Sequence, residues 1–84
     1  MLESVRNTAE SLGWELEAFC DGRDNRRGVA MCRRTTGALP HREYVTVAVG
    51  LDGSFYSGRY DMNRTEAIAN FNDRAFPGVG ERSE

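Results

Sequence analysis

The chain has no lysine, one histidine, two cysteines and two prolines in its 84 residues. Each shortage removes a class of answer. A structural zinc site needs about four ligands, and Cys20, Cys32 and His41 fall short of that. No metal and no cofactor is therefore expected. Two cysteines make no disulfide framework either. They are expected as small buried side chains on neighbouring strands, kept reduced in a cytoplasmic chain. No run approaches the eighteen or so apolar residues of a membrane span, and no basic-then-apolar leader opens the sequence. The reading is a cytoplasmic protein with no membrane partner. Gly78-Val79-Gly80 opens no helix, so a glycine-rich phosphate loop is missing. His41 sits between Pro40 and Arg42 with no supporting serine and aspartate pattern, so it reads as a solvated loop residue and the chain as a non-enzyme.

What is present is arginine, unevenly placed. Residues 23–42 hold Arg23, Arg26, Arg27, Arg33, Arg34 and Arg42 against one acid, Asp24, a local charge of +5. Residues 1–22 set Arg6 against five acids, and residues 43–84 set four arginines against seven, giving −4 and −3. A chain of net charge −2 thus carries one basic stripe. Guanidinium groups in such a stripe suit a phosphate, a carboxylate or the acidic face of a partner.

The apolar pattern predicts one domain over 1–76 and a flexible polar tail over 77–84. Leu2, Val5, Ala9 and Leu12 make one helical stripe, closed by Gly13. Residues 14–20 alternate, with Trp14, Leu16, Ala18 and Cys20 on one side and Glu15, Glu17 and Phe19 on the other. Residues 28–34 form a second strand after a polar loop. Residues 44–51 form the clearest strand, with Val45, Val47, Val49 and Leu51 on one face. Asp52-Gly53 predicts a two-residue hairpin turn, which pairs Val49 with Tyr56, Val47 with Gly58, Ala48 with Ser57 and Thr46 with Arg59. Asn63 with Glu66 three residues on predicts a capping box, and Ala67, Ile68, Phe71 and Ala75 form the stripe of the helix that follows.

The fold class is α+β in the order α-β-β-β-β-α. The economical arrangement is an antiparallel four-stranded sheet with both helices on the valine face. The other face is then open, and carries Glu15, Glu17, Phe19, Tyr44, Thr46, Phe55, Ser57 and Arg59. Its aromatic residues either pack on one another or offer a platform that stacks bases or meets a protein. The candidate partner-binding residues are therefore Arg23, Arg26, Arg27, Arg33, Arg34 and Arg42 of the stripe, with Tyr44, Phe55 and Arg59 of the sheet.

Gly37-Ala38-Leu39-Pro40-His41 before Tyr44-Val45-Thr46-Val47, then Phe55–Tyr60 and a helix at Asn63, resembles the second half of a double-stranded-RNA-binding domain. That resemblance covers residues 28–76. It implies that His41 and its neighbours form a minor-groove loop, although Asn63, Arg64, Thr65 and Glu66 stand where the family has a basic cluster. In size and style alone, the chain also resembles the small inhibitors, such as anti-CRISPR proteins, that phages and mobile elements encode. The expected function is binding by protein–protein contact, as an inhibitor of a nucleic-acid-handling host protein. The alternative is a nucleic-acid-binding domain.

Overall fold

The computed structural model describes residues 2–21 and 28–76. The expected tail, and the part of the stripe formed by Arg23, Arg26 and Arg27, lie outside the described residues. The element order is α1 (Leu2–Ser11), β1 (Trp14–Cys20), β2 (Gly28–Arg34), β3 (Tyr44–Val49), β4 (Phe55–Met62) and α2 (Arg64–Ala75). The strands form one antiparallel sheet in the order β1-β2-β3-β4. This is the expected α+β order.

The caps follow the local chemistry. Gly13, at φ 78, ends α1 in a left-handed conformation that side chains resist. The Asn63 side chain accepts from the Glu66 backbone N–H at 2.7 Å, and Glu66 Oε1 accepts from the Asn63 N–H at 3.0 Å. The capping box is complete and starts α2.

The two helices lie on opposite faces of the sheet, not on one. Val5 and Ala9 of α1 pack with Ala30, Cys32, Val45, Val47 and Val49. Ala67, Ile68 and Phe71 of α2 pack with Met31 and Tyr44. Successive strand residues point to opposite faces, so these two sets cannot share a side. All six residues of β3 are buried, because each face has its own helix. Ile68 and Phe71 accordingly meet Met31 and Tyr44 rather than the valines. The sheet has no open face of the kind expected.

Three bulges account for the remaining differences. The β1–β2 register shifts between Leu16 and Ala18, so Glu17 is the extra residue. Phe19 then rejoins Trp14 and Leu16 on the α1 face, and Ala18 moves to the α2 face. The β3–β4 hairpin closes with three residues, not two. Gly50 N–H donates to Ser54 O at 2.8 Å, Gly53 N–H donates to Gly50 O at 3.0 Å, and Gly53 has φ 84. This is a type I turn followed by a left-handed glycine. Next to it Val49 faces Phe55 and Ala48 faces Tyr56, one residue off the expected pairing. A one-residue slip turns a side chain to the other face, and Phe55 accordingly packs on the α1 side. Bulges at Ser57 (φ 52) and Asp61 (φ 59) then restore the expected Thr46–Arg59 pair and set Tyr44 opposite Met62.

The bulges also curl the sheet. Strands sit about 4.8 Å apart, yet Trp14 on edge strand β1 stacks on Phe55 of edge strand β4, with ring centroids 6.1 Å apart. The α1 face is therefore concave and filled. Gly53 packs so closely on α1 that a Cβ there would come within 2.8 Å of Ser4 Cβ. The Thr8 hydroxyl donates to Gly53 O at 2.9 Å, fastening α1 to the hairpin.

Candidate partner-binding surface

The described arginines of the stripe are each paired within the chain. Arg33 Nη1 lies 3.1 Å from Glu15 Oε1, and Arg33 Nε lies 3.7 Å from Glu43. The hydrogen bond to Glu15, then its charge, raises the Arg33 pKa further. Arg42 Nη1 donates to Asp61 O at 3.0 Å and lies 3.4 Å from Glu66 Oε1, the oxygen that also caps α2. Arg34 lies 3.8 Å from Asp61. A stripe that is +5 by counting is thus largely neutralised where it is described.

The sheet candidates divide. Tyr44 is buried beneath α2, with 9% of its surface exposed. Phe55 is half-buried on Trp14. Neither stands on an open face, because α2 covers one side and α1 fills the other. Arg59 is exposed and has no ion pair among the described residues.

One end of the sheet gathers a different set. There β1 begins, β2 ends, β3 begins and β4 ends. Tyr60, 48% exposed, meets Trp14 edge-on at 6.0 Å, and the Arg34 guanidinium lies over its ring at 5.9 Å. The edge contact contributes about 0.5–1.5 kcal/mol, and an exposed cation–π contact about 0.5–1 kcal/mol. Gly58 makes room for this pose, since a Cβ there would come within 2.5 Å of the Tyr60 ring. Leu39 is 56% exposed beside Arg42, its bridge partner. It opens a turn closed by Arg42 N–H to Leu39 O at 3.0 Å, with Pro40 and His41 (φ 63) at the corners. That is a type II turn, in which proline leads and a positive φ follows. Leu12, 50% exposed, precedes Gly13, whose carbonyl accepts the Thr35 N–H at 3.3 Å and the Thr35 hydroxyl.

Tyr60, Leu39 and Leu12 were not among the sequence candidates. The two-residue turn that pairs Val47 with Gly58 puts Tyr60 on the valine side of the sheet, and the helical stripe takes in Leu12. Alternation assigns a face; it does not show that a strand end lies beyond the helix that covers its middle.

Among the described residues, no three His, Cys, Asp or Glu side chains are grouped to hold a metal ion, and no helix is long and apolar enough to cross a membrane. Cys32 is fully buried, and burial, followed by the Glu17 charge, pushes its thiol up to about 12. It stays protonated and unreactive at neutral pH. No family model matches the chain, and no curated protein or solved structure matches it.

Proposed function

We propose that this chain is a non-enzymatic binding protein that works by protein–protein contact through the Tyr60 end of its sheet. The observation that carries the reading is the pose of Tyr60, exposed but fixed between Trp14 and Arg34. Tyrosine, tryptophan and arginine are the side chains in which binding energy concentrates at interfaces. A side chain already fixed in its bound pose loses little entropy on association. Leu12 and Leu39 supply exposed apolar area at the same end of the sheet, and the Arg34–Asp61 and Arg42–Glu66 pairs supply polar groups there. The small size and net charge of −2 fit an inhibitor of a basic, nucleic-acid-handling protein, of the kind mobile elements encode.

The test is capture of a partner from host lysate by the wild-type chain, followed by affinity measurements on variants. Tyr60→Ala is expected to weaken binding by about 2 kcal/mol. Gly58→Ala removes no atom from the surface but displaces the ring, and is expected to weaken binding by about 1 kcal/mol while the fold persists. Full affinity in both variants moves the interface elsewhere. A duplex RNA bound with steep salt dependence by the same chain supports the nucleic-acid alternative instead.

A further inference from the structure

The described stripe arginines, Arg33, Arg34 and Arg42, are paired with carboxylates; of the described arginines that are not, Arg59 and Arg74 lie on the same face of the molecule. Arg74, on the last turn of α2, folds back onto the sheet. Its Nη1 donates to Thr46 O at 3.2 Å and Thr46 Oγ1 at 3.1 Å, and its Nη2 donates to Ser57 O at 2.8 Å. All three acceptors are neutral. Arg59 pairs across the strands with Thr46, so it stands beside this guanidinium. No carboxylate among the described residues pairs with either arginine. Burial, and then the Arg59 charge, lower the Arg74 pKa. Among the described residues, two neighbouring cations at the bulge on β4 therefore lack a counter-charge.

The hydrogen-bond order extends the donor set. A guanidinium only donates, so Thr46 Oγ1 accepts from Arg74. The hydroxyl then gives its single proton to Asn70 Oδ1. That fixes the Asn70 amide with its oxygen toward Thr46 and its NH₂ group away from it. Asn70 and Arg74 are four apart on one helix, hence neighbours on one face. A guanidinium has five N–H donors, and Arg74 spends three bonds on the protein. What remains is donors only: two N–H groups of Arg74, the Asn70 NH₂ and the whole Arg59 head.

We infer that Arg59, Arg74 and Asn70 form a binding site for a single oxyanion, a carboxylate or a phosphate group. An acceptor-only ligand complements a donor-only set, and charge-assisted, forked bonds to arginine are the strong ones. The three bonds to the sheet hold Arg74 in place before any ligand arrives. A chain of net charge −2 repels an extended polyanion but not one local anionic group.

The site is tested on the full chain by heteronuclear NMR with sodium phosphate, sodium acetate and sodium chloride at matched ionic strength. Phosphate or acetate is expected to shift the Arg74 Nε–H and Asn70 NH₂ signals to saturation, while chloride leaves them in place. Tighter binding of phosphate assigns a phosphoryl ligand, and tighter binding of acetate a carboxylate. Arg59→Gln, at an exposed position, is expected to weaken the response about tenfold, as loss of one charge-assisted hydrogen bond implies. Shifts that do not saturate, that chloride reproduces, or that Arg59→Gln leaves unchanged overturn the proposal. So does a response to duplex RNA when neither small anion gives one.

Discussion

The two faces of the sheet are built on different physics, and β3 shows both. Its odd residues, Val45, Val47 and Val49, meet Val5 and Ala9 of α1 with Trp14, Leu16, Phe19 and Phe55 around them. That face is specified by volume and shape. The even residues Tyr44 and Thr46 lie under α2. There the fully buried Thr46 hydroxyl links Arg74 to Asn70, and Arg74 ties α2 to the backbones of β3 and β4. That face is specified by hydrogen bonds as well as by Met31, Tyr44 and Ala67. Burial of apolar area is tolerant of direction, whereas a buried hydroxyl is not: its partners fix where the helix can sit.

The largest expected effect breaks the volume-built face. Trp14 reaches across from β1 to stack on Phe55 and support Tyr60. Trp14→Ala removes that span, and a cost of about 3 kcal/mol is expected, toward the lower end of the range because the ring is half-buried. Denaturant unfolding measures it. A loss under about 1 kcal/mol means that the concave face closes without the indole.

A smaller effect sharpens the comparison through a reciprocal pair of nearly isosteric changes. Val47→Thr places a hydroxyl among valines, where nothing accepts it, and is expected to cost about 1–3 kcal/mol. Thr46→Val keeps the shape but strands the Asn70 oxygen and an Arg74 N–H, with an expected cost of about 1–2 kcal/mol. Neighbouring residues of one strand thus reject each other's side chain. Should either change prove neutral in thermal or denaturant unfolding, the division between the faces fails at that position.

The same division explains what could be read from the chain and what could not. All six elements were legible, because helical stripes, alternation and caps are local signals; the Asn63 and Glu66 cap is the clearest case. The placement of α2 was not. Tyr44, Thr46 and Ala48 look like a solvent side beside three valines, and alternation alone cannot tell a half-exposed strand from one with a polar network beneath a second helix. The bulges were hidden as well. Glu17 and Asp61 have no neighbouring glycine to announce a bulge, and at Ser57 the positive φ falls on the serine rather than on Gly58 beside it. The missing bulge at Glu17 put Phe19 on the wrong face in the expected register, and the expected two-residue turn did the same to Phe55. The candidate surface suffered most. The stripe is conspicuous in sequence, yet the partners of its described arginines come from β1 (Glu15), the residue before β3 (Glu43), β4 (Asp61) and α2 (Glu66). Arg59, a candidate from the sequence, and Arg74, which the sequence did not single out, have no carboxylate partner among the described residues.

The smallest effect concerns the hairpin that fastens α1 to the concave face. Asp52 Oδ1 accepts from the Ser54 hydroxyl at 2.7 Å and from the Ser54 N–H at 3.1 Å. These bonds, the hydroxyl first, lower the Asp52 pKa below its ordinary value of 3.8. A carboxyl depressed in the folded state stabilises the fold fully above its unfolded pKa, and that contribution is lost as pH falls through the folded value. The loss is therefore expected below pH 3.8, not near neutrality. Asp52→Asn keeps an acceptor oxygen but removes the titration. Comparing the two proteins in acid unfolding isolates the term: the stability gap between wild type and Asp52→Asn is expected to be constant above about pH 5 and to shrink as the pH falls below 3.8. A gap that stays constant throughout means that the Ser54 bonds do not discriminate between the charged and neutral carboxyl.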